Sequence, residues 1–183
     1  MASAGQVTGP AVQELQRDGA LAGEWTLDPS RTAIGLRTRS MWGLTPVKGV
    51  FGEVSGKGTV SPDGTVRGTL TVAAASIGTR NKRRDTHLRS PEFFDADAYP
   101  DITFTVNKVQ ISARGAAISG DLTVRSRTRP LSFEARVSSS APDEVRLDAE
   151  VKVNRADFGL TWNQMGMASM DNTITVRAVF TRA

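Results

Sequence analysis

The chain has no cysteine, one histidine, one tyrosine and no long apolar run. Without cysteine there are no disulfides and no thiolate metal sites, and one histidine leaves a zinc or copper ion to carboxylates, which argues against a transition-metal enzyme. No segment approaches the roughly 18 apolar residues of a membrane-spanning helix. The opening "MASAGQVTGPAVQELQRDGALAGEW" has no basic start followed by an apolar stretch, so no secretory leader is expected and the expected location is cytoplasmic. A strong excess of one charge is also missing. The 23 Lys and Arg are interspersed with 19 Asp and Glu, a net +4 that describes a mixed, solvated surface. At 183 residues the chain fits one ordinary domain with its own core.

What is present is alternation. Residues 1–23 stand apart as an N-terminal extension, small and polar, either disordered or holding a short helix that Pro10 opens and Gly19 closes, with Val12 and Leu15 on one side. Residues 24–183 form the expected domain. From Trp25 onward apolar residues recur at every second position, the mark of strands with one dry and one wet face. In "VRLDAEVKV", Val145, Leu147, Ala149, Val151 and Val153 alternate with Arg146, Asp148, Glu150 and Lys152. The same rhythm runs through Ile34–Leu36, Val47–Phe51, Val66–Val72, Ile102–Val106, Ile118–Val124, Leu131–Val137 and Ile174–Phe180. Turn chemistry at "SPDGT" (61–65), "SARGAA" (112–117) and "SAPDE" (140–144) joins neighbours as hairpins. About eight antiparallel strands with one apolar face predict an all-β, up-and-down barrel over a two-sheet sandwich. Gly49, Gly68 and Gly120, at inner positions, and Gly35 mark sharp bends or close approaches, or else thin the interior into a cavity.

The stretch "RNKRRDTHLRSPEFFDADAYPDITF", from Arg80 to Phe104, breaks this rhythm. Asn81 to Ser90 reads as a short helix near one end of the barrel, capped by Thr79 or Asn81 and stopped by Pro91. Asp85 and Arg89 share one face, and Leu88 with Phe93 and Phe94 anchors the piece to the barrel. Three chemical readings compete with a structural one. His87 with Asp85 offers acid–base groups, but no motif supplies a nucleophile. Asp95, Asp97 and Asp101 faintly resemble a calcium loop, without its glycine or closing glutamate. "RNKRR" is basic, but Asp85, Glu92 and Asp95 answer it and no aromatic stacking platform accompanies it.

These blocks together resemble the YceI-like family of lipid-binding, lipocalin-like barrels, often described as polyisoprenoid-binding. The resemblance runs from "WTLDPSRTAIGLRTRS" at Trp25 to the end. It rests on the serine-isoleucine start at Ser76, Arg84-Asp85, His87-Leu88, Phe93-Phe94-Asp95 and Tyr99-Pro100, then on "GDLTVRSRTRPLSF" from Gly120 and "RADFGLTW" from Arg155. It implies an eight-stranded lipocalin-like barrel and an apolar tunnel for an isoprenoid, isoprenoid quinone or fatty-acid-like lipid. It also implies a homodimer, and a binding protein instead of an enzyme. Arg31 and Thr32 stand where the family's first strand carries histidine, Ser40 takes another such place, and Arg127 replaces a glycine before Thr128. These departures imply an altered polar end of the tunnel.

The expectation is therefore a non-catalytic protein that holds a long apolar ligand without any covalent cofactor, metal, nucleic acid or membrane span, for transport, storage or stress response. Candidate ligand-binding residues are Ile34, Leu36, Phe51, Leu70, Leu88, Phe94, Phe104, Leu122, Phe133 and Trp162, with Arg84 and His87 as the candidate polar end. The alternatives are a filled barrel acting through a dimer surface, and a small hydrolase or isomerase using His87.

Overall fold

The computed structural model describes residues 7–182. In chain order the elements are β1 (Val7–Thr8), α1 (Gly9–Arg17), β2 (Gly23–Leu27), β3 (Ala33–Ser40), β4 (Thr45–Phe51), β5 (Val54–Val60), β6 (Val66–Ala73) and β7 (Ile77–Gly78). They continue with α2 (Lys82–Arg89), β8 (Asp101–Ser112), β9 (Gly115–Val124), β10 (Arg127–Ala141), β11 (Glu144–Asn154) and β12 (Asp171–Arg182). Antiparallel pairing runs β2–β5–β6–β8–β9–β10–β11–β12 and returns to β2, closing the expected eight-stranded up-and-down barrel. Closure satisfies the backbone of every stave and removes exposed edges from the ring.

Two staves are bent. β3 continues β2 beyond a short 3-10 turn, Pro29–Arg31, and β12 pairs with β2 through Phe180–Arg182 but with β3 through Thr173–Arg177. β4 likewise leads into β5, pairing with β3 where β5 pairs with β2. Past the bend, β4 is met by β7 at only Val50 and Phe51. The chain from Thr79 to Pro100 packs beside that part of the wall. Phe94 sits 6.1 Å ring to ring from Phe51, and Ala74 N–H donates to the Pro100 carbonyl.

α2 forms where expected, with the Asn81 side chain accepting from Arg84 N–H as the N-cap. Thr79 has a different task, donating both its N–H and its hydroxyl to Asp85 Oδ1. Arg89 does not meet Asp85. It donates to the carbonyls of Ala75 and Ile77, tying α2 to the barrel wall.

α1 closes the opposite end. It lies against β8, β9 and β10, with Val12 fully buried, and Gln16 Nε2 donates to the Gly64 carbonyl in the β5–β6 hairpin. Gly9 is needed there, because a Cβ would stand 2.9 Å from the Ala113 carbonyl of the β8–β9 hairpin. Trp25 donates its indole N–H to the Leu21 carbonyl, and Arg182 lies over the Trp25 ring at 5.3 Å.

The interior holds two apolar clusters. One, toward α2, includes Phe51, Phe94, Leu122 and Phe158; the other, under α1, includes Val12, Trp25, Ile118 and Val137. Phe104 packs against both.

Candidate ligand cavity

Between the two clusters runs a cavity of about 300 Å³, lined from the α1 end to the α2 end almost wholly by hydrocarbon. Alternation builds the wall. Ile174, Val176, Ala178 and Phe180 of β12 face Val151, Ala149, Leu147 and Val145 of β11 at paired positions, and all eight line the space. On β8 the rhythm is reset. A bulge at Asn107 shifts the register between Val106 and Lys108, so Val109 and Ile111 join Ile102, Phe104 and Val106 on the inner face.

The inner glycines do different things. Gly68 pairs with Gly58 across the β5–β6 ladder, and the cavity reaches the bare wall there. At Gly120 the missing side chain makes room for Phe104, whose ring Cζ is 2.6 Å from where a Cβ would stand. Gly49 admits Ile77 Cδ1 in the same way, at 2.9 Å.

Of the residues expected to meet a ligand, Ile34, Leu36, Phe51, Leu70, Phe94, Phe104, Leu122 and Phe133 come together on this wall. Leu88 packs against the cluster but stays off the wall. The chain after α2 folds back beneath it, Phe94 N–H donating to the Leu88 carbonyl, so Phe93 and Phe94 meet the cavity instead. Trp162 is also off the wall. It is 36% exposed, and its ring stands edge-on to His87 at 4.2 Å.

Neither Arg84 nor His87 forms a polar end of the cavity. His87 is half-buried with its ring between Phe93 and Trp162 and its Nε2 2.8 Å from Glu92 Oε2, and neither it nor Arg84 reaches the wall. The buried polar side chains that line the α2 end are Arg155 and Asn172. Arg155 donates through Nε to the Ser169 carbonyl and through Nη1 to those of Leu160 and Trp162, with Nη2 3.4 Å from the Ala168 oxygen. Its guanidinium also lies over the Phe93 ring at 5.5 Å. Burial pushes its pKa below the ordinary arginine value, yet a guanidinium starting so high stays charged. Four carbonyl dipoles spread around it supply the compensation that a carboxylate would give elsewhere. Asn172 Nδ2 donates to the Met170 carbonyl. Both side chains thus pin the segment from Gly159 to Met170 to the barrel and offer the cavity little polar surface.

The other departures noted in the sequence lie outside the cavity. Arg31 bridges Asp28, at 2.8 Å, and Glu144, at 2.6 Å, on the outer surface. Thr32 accepts the Val179 N–H through its hydroxyl, and Ser40 ends β3 beside the β3–β4 turn. Arg127 lies beside Gly159, its Cζ 3.2 Å from where a Cβ there would stand, and none of the four departures is on the cavity wall. Val12, Leu21, Trp25, Val109, Ile111, Arg155 and Asn172 are wall residues that alternation alone did not single out. Among the described residues, no group of three or more His, Asp or Glu side chains is placed to hold a metal ion, and no helix is long and apolar enough to cross a membrane.

Comparison with known proteins places this geometry. A family model described as the YceI-like domain matches residues 25–181. A UPF0312 protein of Staphylococcus aureus strain MSSA476 is 28% identical over 148 residues, which cover 76% of this chain and 84% of that protein. The crystal structure of BcnA from Burkholderia cenocepacia superposes with a TM-score of 0.76 at 17% identity, over 84% of this chain and 98% of that one. A polyisoprenoid binding domain from Saccharophagus degradans, implicated in plant cell wall breakdown, gives 0.69 at 15% identity, over 87% and 98%. The YceI protein of Campylobacter jejuni gives 0.64 at 24% identity, over 75% and 85%. At such identities the three structures share the fold with this chain.

Proposed function

The chain belongs to the YceI-like family, and on that premise we propose that it is a non-catalytic binding protein whose barrel holds one long apolar ligand, an isoprenoid, an isoprenoid quinone or a fatty-acid-like lipid. The observation that carries this reading is the cavity itself. About 300 Å³ of space lies inside a closed barrel with an almost purely hydrocarbon wall, at the lower end of the roughly 300–1,000 Å³ of small-molecule sites. A wall of this kind recognises a ligand by burial, at about 25 cal/mol per Å² of apolar surface removed from water. A slim, unbranched or isoprene-type chain suits a space that runs the length of the barrel. The description of the Saccharophagus degradans domain as polyisoprenoid binding supports the same ligand class. Binding is favoured over catalysis because the buried polar side chains at the wall, Arg155 and Asn172, are committed to backbone carbonyls, and the other polar residues there, such as Gln16, Lys57, Arg67 and Thr103, present almost no polar surface to the cavity. The reading extends to carriage or storage of the ligand, since a water-excluded barrel keeps such a molecule from self-aggregating.

The test uses Trp25, which lines the cavity, whereas Trp42 and Trp162 do not. A Trp42→Phe, Trp162→Phe double variant leaves Trp25 as the only indole. Titration with a C20 prenol is expected to change Trp25 emission saturably at one ligand per chain, on the order of a micromolar Kd or tighter. A linear, non-saturating response would count against the proposal.

A further inference from the structure

At the α2 end, apolar side chains stand in solvent without an intramolecular reason. The β3–β4 turn exposes Met41, Trp42 (65%) and Leu44 (83%), and the neighbouring segment exposes Trp162 and Met165 (78%). Two backbone bonds, Trp42 N–H to the Met167 carbonyl and Ser169 N–H to the Arg39 carbonyl, stitch the turn to that segment, so the five side chains belong to one surface. Met41, Trp42 and Met165 each hold φ near +54°. Bulky side chains avoid this left-handed region, and strain kept at an exposed position that packs nothing is a mark of an interaction site.

Basic side chains predominate around the patch, although Glu92 stands beside it, 2.8 Å from His87. Residues 37–48 carry Arg37, Arg39 and Lys48 and no acid, and residues 159–170 carry no charge at all. Arg37 is 3.4 Å from Glu150 on the barrel side. Across the patch, His87 of α2 touches Trp162, and Arg83 and Arg84 precede His87 by four and three residues, on the same helix face. Lys82 opens the helix, and the Asp85 carboxylate is turned toward Thr79, whose N–H and hydroxyl it accepts. Exposed aromatic and aliphatic side chains rimmed by Lys and Arg are what a lipid–water interface with anionic headgroups binds. The patch also adjoins the cavity: Leu160 and Arg155 form the wall there, and Arg155 holds the Trp162 carbonyl.

We propose that this end of the barrel docks on an anionic lipid surface, with Trp42, Leu44 and Met165 entering the interface and the basic residues of α2 and β3 facing the headgroups. Docking brings the cavity's loop-built end against the bilayer, where an apolar ligand could pass without crossing water. The docking itself does not depend on what the cavity holds.

The experiment is co-sedimentation of the full chain with phosphatidylcholine vesicles, and with vesicles of phosphatidylcholine plus phosphatidylglycerol. The expected result is binding to the mixed vesicles about tenfold or more stronger than to the neutral ones, weakening as salt is added. Leu44→Asp is expected to lower it by about tenfold. Lys82→Glu with Arg83→Glu is expected to erase the preference for anionic vesicles. These positions are exposed, so unchanged thermal midpoints verify folding. Three outcomes would overturn the proposal: equal or no binding to the two vesicle types; binding indifferent to Leu44→Asp; or wild type staying off vesicles while Leu44→Asp turns a dimer into a monomer, which would assign the patch to a second copy. Partition is read without ligand uptake, so docking and cavity binding fail separately.

Discussion

The ring of Phe104 occupies the space that a side chain at Gly120 would take. The two are diagonal neighbours in the β8–β9 ladder, where Gly120 pairs with Val106 and Phe104 with Leu122, and Phe104 reaches on toward Phe133, 5.6 Å away ring to ring. This contact narrows the barrel at the meeting of its two clusters. Gly120→Ala therefore overpacks the waist and is expected to destabilise the protein by about 1–3 kcal/mol. The second conflict is with the Thr105 carbonyl, which no side-chain change relieves. Urea denaturation of Gly120→Ala, Phe104→Leu and the double variant measures the coupling. The double variant should recover part of the loss and not all of it.

Phe104→Ala separates stability from ligand length. Removing the ring is expected to cost roughly 3–5 kcal/mol in unfolding, while joining the two halves of the cavity more openly. A prenol series titrated against both proteins is expected to show the variant's optimum shifted to longer chains. An unchanged optimum would mean that Phe104 does not limit the cavity.

Arg155 holds the segment that forms the α2 end of the wall through its bonds to Leu160, Trp162 and Ser169. Arg155→Met leaves buried carbonyls without donors, and a loss of about 1–3 kcal/mol is expected for each one left unsatisfied. Hydrogen exchange should rise in residues 159–170 before it rises in the strands. Arg155→Lys is expected to recover little, since an ammonium cannot reproduce the planar fork.

How far the sequence was legible depends on which contacts decide each feature. Six of the eight staves, β6, β8, β9, β10, β11 and β12, follow from alternation, and α2 from its cap and its stop at Pro91. β5 was hidden because Gly56 and Gly58 blank its inner positions, and β2 because its short Trp25–Leu27 alternation breaks at the Pro29 turn. Val109 and Ile111 were invisible as wall residues because the Asn107 bulge changes the parity of β8. Arg155 stood in a recognisable block, "RADFGLTW", but its role depends on carbonyls of residues up to fourteen positions away. Trp162 looked like a wall residue by type, and only the course of the chain beyond Leu160 turns it outward. For α1, composition left docking and disorder equally open, and the buried fit of Val12 over the barrel end decides between them.

α1 acts as the stopper at its end of the cavity, with Val12, Leu21 and Trp25 on the wall. Val12→Asp places a carboxylate in that seal, so α1 is expected to detach while the barrel stays closed by its strands. A fluorescent apolar probe should then enter and leave at least about tenfold faster in stopped flow, with far-ultraviolet circular dichroism still strand-like.

Acid stability has a defined source at the β2–β3 bend. The Ser30 hydroxyl and the Arg31 guanidinium hold Asp28 down at about 2 from its ordinary 3.8. Ser140 and then Arg31 lower Glu144 below its ordinary 4.5. Both carboxylates have depressed folded-state values, so their stabilisation is full above the ordinary carboxylate range and is lost as the pH falls toward about 2. Arg31→Met is expected to be less stable than wild type near neutral pH, with the gap closing as the pH falls. Arg31 is exposed and the two carboxylates are only half-buried at the surface, so the gap should be small and should shrink with salt. Thermal melts across the acid range check it; a gap that widens on acidification would contradict the assignment.

The most direct measurement of the central claim is native mass spectrometry of the full chain purified without detergent, followed by organic extraction of the same sample. Binding in the barrel predicts one long-chain molecule per chain. It should be released on denaturation, recovered in the extract, and be absent or altered in length in Phe104→Ala. A bare chain mass, with an empty extract and no uptake of added prenol or fatty acid, would contradict it.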